Sequence, residues 1–204
     1  MIVDKTFTKD LFLDADGNPA CVGSGYTSVQ YNYNEDHQLT LVYYLDAEGN
    51  IVPAGSGYFH EYLRDLIEKM RESDSLTVFI SVKDEATNSL TVTLYQDLKD
   101  LGIQTDLRGH YRNSFYAVIG KDEEKEDISY GGLLTTDGVL LDGIPYEVKS
   151  AGFQVGNYSS VIIGGQEYAK NVRGMNFVVY DSSLHQVTDS VAFDTYIQEM
   201  TVTR

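Results

Sequence analysis

The residues best equipped for chemistry are two aspartates and two arginines, each placed where an apolar run meets a polar turn. Val82-Lys83-Asp84-Glu85 closes one apolar run, and His110-Tyr111-Arg112-Asn113-Ser114-Phe115 opens another. Arg173-Gly174-Met175-Asn176 leads into Phe177-Val178-Val179-Tyr180, and Phe193-Asp194-Thr195-Tyr196 ends the run after that. Charged side chains at strand-loop junctions are functional more often than charges scattered over a surface. Asp84 and Asp194 can accept hydrogen bonds from hydroxyl groups, and Arg112 and Arg173 can donate them. Phe115 offers a ring face for the apolar side of a pyranose. The set suits a neutral, hydroxyl-rich ligand. The same charges would also serve as ion pairs tying strand ends together, because a buried arginine left without a carboxylate is costly.

Other chemistries find little support. His37, His60, His110 and His185 fall in four separate segments with no metal-ligand spacing, and no G-x-S-x-G, H-E-x-x-H or phosphate-loop motif occurs. Gly164-Gly165 precedes Gln166-Glu167 without the lysine of a phosphate loop, and reads as a hairpin turn. Asp14-Ala15-Asp16-Gly17-Asn18 opens like a calcium loop but lacks the later acidic ligand, so an Asp-Gly turn is the expectation. Cys21 is the only cysteine, which rules out an intrachain disulfide and a thiolate zinc cage. No metal and no cofactor are expected. A glycosidase would need two carboxylates about 5–10 Å apart across a cleft, with Asp84 and Asp194 as the candidates; without any further signature, a non-enzyme is the expectation. Thirty-one acidic against 15 basic residues give a net charge of −16, which disfavours nucleic acid and anionic membranes as partners. No run approaches the roughly 20 apolar residues of a membrane helix, and the N-terminus has no signal-like apolar core. Compartment stays open between the cell envelope and a cytoplasmic face, as does membership of a longer parent chain.

The elements that must position these groups are legible from periodicity. Leu13-Asp14-Ala15-Asp16-Gly17-Asn18 recurs 32 residues later as Leu45-Asp46-Ala47-Glu48-Gly49-Asn50, and Gly23-Ser24-Gly25-Tyr26 recurs as Gly55-Ser56-Gly57-Tyr58. Between the copies, 28–33 and 38–44 alternate as strands, so residues 1–58 read as a β-meander of two repeats. From His60, Leu63, Leu66, Ile67 and Met70 form a helical stripe; Leu76 to Val82 is an apolar strand; Leu90, Leu94, Leu98 and Leu101 mark a second helix stopped by Gly102. Phe115 to Ile119 is a strand, Lys121 to Asp127 a solvated loop, and short strands follow near 139–141, 147–151, 160–163, 175–180 and 187–193. The chain is thus α+β, with mixed or antiparallel sheets and two main helices over residues 59–204.

Residues 60–204 resemble the interleukin-like EMT inducer (ILEI) domain family, and are similar to the stem domain of protein O-linked-mannose N-acetylglucosaminyltransferase. The likeness rests on Arg173-Gly174-x-Asn176, Phe193-Asp194-Thr195-Tyr196, Val82-Lys83-Asp84-Glu85, Leu101-Gly102, and Arg112-x-Ser114-Phe115 leading into Val118-Ile119-Gly120. The two halves stand in reversed order, which implies a circularly permuted β-β-α domain. The family's R-D-x-W reads Arg112-Asn113-Ser114-Phe115 here, with a smaller ring and one charge fewer. The resemblance implies a non-catalytic carbohydrate-binding module whose pocket for an amino sugar such as GlcNAc falls on Asp84, Arg112 and Arg173. It also implies a setting as an accessory domain beside the catalytic domain of a bacterial cell-envelope glycosyl- or polymer transferase. Cytokine-like members imply the alternative, a protein-interaction module without a sugar. The repeats resemble tyrosine-rich D-x-x-G-N repeats of Firmicutes envelope-associated proteins.

Overall fold

A computed structural model describes residues 6–121 and 123–204. It is an α+β fold with two helices, α1 (Gly55–Glu72) and α2 (Val92–Leu101). A three-stranded antiparallel meander comes first: β1 (Phe7–Leu11), β2 (Ser28–Tyr33) and β3 (Leu39–Leu45). The second sheet holds β4 (Leu76–Asp84), β5 (Ser114–Gly120), β6 (Glu124–Ser129), β7 (Leu134–Val139), β8 (Pro145–Gly152), β9 (Tyr158–Ile163), β10 (Gln166–Glu167), β11 (Gly174–Asp181), β12 (Gln186–Phe193) and β13 (Val202–Thr203). Its main path runs β10-β9-β8-β4-β11-β12-β13, with β5 against β4, β6 against β5, and β7 against β8.

β4 is central because it is apolar on both faces, the pattern of a strand covered on each side. Val78, Ile80 and Val82 point to one face and join Phe59, Leu63 and Ile67 of α1, Leu94 and Leu98 of α2, and Phe177 and Phe193. Phe79 points the other way, to Val118, Val148, Val161, Ile163 and Val178. The period-2 alternation of a strand thus divides its side chains between two cores. Phe59 stacks on Phe193 at 4.3 Å between ring centroids and meets Phe177 edge-on at 5.7 Å, geometry that adds to burial alone.

The two layers share a corner at the end of β4. One edge of β4 pairs antiparallel with β11, from Leu76 opposite Asp181 to Lys83 opposite Gly174. Along the other edge, Thr77 to Ser81 pair with β5, and Lys83 and Asp84 then pair in parallel with Ala151 and Gly152 of β8. Buried serines knit the junction. Ser150 Oγ donates to Val82 O at 2.7 Å and accepts from Phe115 N at 2.9 Å, while Ser114 Oγ accepts from Gly152 N at 2.9 Å. At Gly152 a Cβ would lie 2.4 Å from Arg112 O, so the Arg112 backbone can press against β8 only because that residue is glycine.

Four expectations change. The charged run at 121–127 is mostly strand: Glu124–Ser129 pair with β5, and Asp122 lies outside the described residues. Charge masked the strand because β6 keeps polar side chains half or fully exposed. The boundary at residue 58 falls inside α1, whose first turn is Gly55-Ser56-Gly57-Tyr58. The 32-residue repeat holds for the turns and not for this second motif. Asp14 Oδ1 accepts from Asp16 N and Asn18 N, and Asp46 Oδ1 accepts likewise from Glu48 N and Asn50 N. Gly23-Ser24-Gly25-Tyr26, by contrast, is a turn and its copy is helix. The strand expected at 139–141 ends at Val139 and begins earlier, at Leu134.

Candidate functional site

Around the end of β4 the chain gathers loops from distant parts of the sequence. Asp84 closes β4 at φ +64, a left-handed conformation that costs a residue with a Cβ on the order of 1–2 kcal/mol. Its side chain is half-buried and makes no hydrogen bond or ion pair among the described residues. Glu85, next in sequence, is fully buried and accepts hydrogen bonds from Thr87 N, Thr87 Oγ1 and Arg112 N. This carboxylate, and not Asp84, fastens the Arg112 loop to the strand end.

Arg112 is also left-handed, at φ +62. Its guanidinium lies 4.0 Å from the Phe153 ring centroid and 5.0 Å from that of Tyr111, a cation-π arrangement with both rings well exposed. Phe153 begins a single 3-10 turn, Phe153–Val155, directly after Gly152. On the far side of β4, Asn176 holds the Arg173 loop: its amide donates to Val172 O at 2.8 Å and its Oδ1 accepts from Val172 N at 3.1 Å. Lys83 Nζ donates to Asn171 O at 2.8 Å and fixes the same loop from below. Arg173 then grips Asp194 in a two-pronged bond, Nε to Oδ1 at 2.9 Å and Nη2 to Oδ2 at 2.6 Å, with the Tyr196 ring 4.4 Å away. Those hydrogen bonds to Asp194 raise the guanidinium above its ordinary pKa. Desolvation works against the rise, and the charges of Asp194 and Asp84 add to it.

Gly152 and Gly174 flank the end of β4 on opposite edges, which sets their backbones roughly 10 Å apart, two strand spacings. Asp84 thus lies at the centre of a rim with an arginine loop to either side. Strain concentrates here. Of the seven non-glycine residues with positive φ among the described residues, Asp84, Arg112, Asn157 and Asn171 all belong to segments around this strand end. So do Arg112 Nε, Asn157 Oδ1 and Thr195 Oγ1, three of the five buried side-chain atoms that lack a hydrogen-bond partner among the described residues. Strain and unmet polar groups of this kind cluster at ligand sites.

The structure therefore brings Asp84, Arg112, Arg173 and Asp194 to one end of the molecule and corrects the expectation in three respects. Phe115 is only 2% exposed and belongs to the helix-facing core, so its ring cannot meet a sugar; it alternates inward because Ser114, its neighbour, must reach Gly152 N. Asp194 is buried and engaged by Arg173, so it serves to hold that arginine. Asp84 forms no ion pair with either arginine, so the three side chains expected to line one pocket are not linked to one another directly. The rings that do face solvent are Phe153 and Tyr111, which sequence reasoning passed over. The only signal for Phe153 is an aromatic after the glycine that ends a strand.

No protein-family model, curated protein or solved structure matches this chain.

Proposed function

We propose that this rim is a non-catalytic carbohydrate-binding site. The observation that carries the reading is Asp84, a strained, half-buried carboxylate with no hydrogen bond or ion pair among the described residues, set between two arginine loops whose guanidiniums each lie on an aromatic ring. A carboxylate can accept from two neighbouring sugar hydroxyls, and the edge N–H groups of Arg112 can donate to a third. Phe153, exposed where Phe115 is buried, supplies the apolar platform. The resemblance to ILEI-like modules points to an amino sugar such as GlcNAc as the first ligand to try, and to a role holding an acceptor glycan for a transferase. Asp194 is engaged by Arg173, so the second free carboxylate of a glycosidase is not at hand, which favours binding without turnover.

Titration calorimetry with β-linked GlcNAc oligomers, followed by a glycan array, tests this. Binding should occur in the native protein and fall at least roughly tenfold in Asp84→Asn and Arg112→Ala, the effect of losing one charge-assisted hydrogen bond. Failure of every glycan to bind would defeat the reading. The two-pronged bond of Arg173 to Asp194 favours a second one, a protein-interaction module whose charges only bridge strands; there both variants would shift stability and leave glycans irrelevant.

A further inference from the structure

A second site lies away from this rim, in the seam between the meander and the helices. Its cavity is about 470 Å³, in the range of small-ligand pockets, and is lined by Asn32, Glu35, Asp36 and Leu41 from the meander, and by His60 of α1 and Thr93 of α2. His60 is the chemistry-bearing member. Its Nδ1 lies 2.7 Å from Asp97 Oδ2, and the Asp97 side chain is only 5% exposed. A carboxylate can only accept, so Nδ1 carries the hydrogen and the lone pair of the neutral ring sits on Nε2. A buried aspartate that fixes one face of a histidine is how proteins aim the other nitrogen at something. Nothing else in the fold uses that nitrogen: none of the hydrogen bonds of the described residues involves His60 Nε2.

The seam is built rigidly enough to hold a site. A Cβ on Gly57 would lie 2.3 Å from the Tyr43 ring, so helix and strand touch there without a side chain between them. Ser56 Oγ accepts from Val42 N at 2.7 Å in a buried bond across the same seam. Tyr43, half-buried behind the dyad, has its phenol pushed up in pKa by burial and then by the charges of Glu61 and Asp97, so it stays a neutral wall. At the mouth, Glu35 and Asp36 are exposed, and neither makes an ion pair among the described residues.

We infer that this cavity binds the ammonium group of a small aliphatic amine, with His60 Nε2 accepting one N–H and Glu35 and Asp36 supplying the opposing charge. The chemistry selects a cation over its neutral counterpart: an oriented lone pair on His60, carboxylates at the entrance, no lysine or arginine in the lining, and a whole-molecule charge of −16 that draws cations in.

The test is NMR titration of the full chain with putrescine and, as the neutral isostere, 1,4-butanediol, following the His60 ring protons. Saturable shifts with putrescine and none with butanediol are expected. Glu35→Gln combined with Asp36→Asn, both at the surface and so harmless to folding, should weaken putrescine binding roughly tenfold. His60→Gln should abolish it, with circular dichroism reporting whether α1 persists. Equal responses to the two probes, no response to either, or full affinity in the surface double variant would each overturn the inference. Because Asp84 and Arg112 lie elsewhere, Asp84→Asn should leave putrescine binding intact whatever becomes of the glycan.

Discussion

At the scale of single residues, the informative feature is backbone conformation where charge is also left unpaired. Asp84 at φ +64 would be relieved by glycine, which has no Cβ to clash, although glycine also adds freedom to the unfolded chain. Asp84→Gly should therefore leave stability unchanged or raise it by up to about 1 kcal/mol, read from the urea midpoint, while ending glycan binding. A loss beyond that would mean the carboxylate is engaged in holding the fold. Gly152 presents the opposite case. Its φ of −67 suits alanine, but the added Cβ would drive into Arg112 O and Asn113 C. Gly152→Ala should cost about 1–3 kcal/mol and displace the Arg112 loop, seen as a lower melting temperature and altered Phe153 and Tyr111 resonances.

At the scale of elements, the site depends on the way loops are pinned to the end of β4. Glu85 satisfies three donors at once, two of them backbone N–H groups in a buried setting. Glu85→Ala should cost about 3 kcal/mol or more, since each orphaned donor is worth about 1–3 kcal/mol; chemical denaturation would measure it. The meander is fastened in a comparable way. Both copies of the Gly-Ser-Gly-Tyr motif meet Glu199, through Ser24 Oγ to Oε1 at 2.6 Å and through Gly55 N to its carbonyl. Two identical tetrapeptides thus do one job, docking, in two different conformations. Ser56→Ala removes the acceptor for Val42 N and should cost about 1–3 kcal/mol, with faster hydrogen exchange at the Val42 amide as the local readout.

At the scale of the whole molecule, pH stability should be shaped by a cluster far from the rim, built on the buried Tyr180. Tyr180 Oη donates to Asp142 Oδ2 at 2.7 Å, and His185 Nδ1 lies 2.8 Å from the same oxygen. Burial, then the hydrogen bond to Asp142 and its charge, push the Tyr180 phenol up to about 12. A raised folded-state value means stability that is intact below about pH 10, the ordinary tyrosine value, and lost as pH climbs through about 12. Tyr180→Phe should flatten that alkaline loss in a denaturation series. Asp142 is held below its ordinary value: desolvation alone would raise it, and the hydrogen bonds from Tyr180 and His185 outweigh that. Its contribution is present above about pH 4 and fades as pH falls further, so Asp142→Asn should shallow the acid limb.

Sequence alone determined what local periodicity can encode. The stripe at Leu63, Leu66 and Ile67, the unbroken run Leu76 to Val82, and the stop at Gly102 specify helix, doubly covered strand and helix end without reference to anything distant. It also singled out Asp84, Arg112 and Arg173, because a charge at the end of an apolar run is visible in one dimension. Only the tertiary structure decided which charges find partners. Arg173 closes on Asp194, Glu85 takes the Arg112 backbone, and Asp84 makes no ion pair among the described residues, outcomes set by β4 pairing with β11 on one edge and with β5 and then β8 on the other. The same pairing buried Phe115, left Phe153 beneath the Arg112 guanidinium, and turned the charged residues Glu124 to Asp127 into part of an edge strand. Alternation says that a side chain faces one side or the other; which side becomes core depends on layers assembled from residues far apart in the chain.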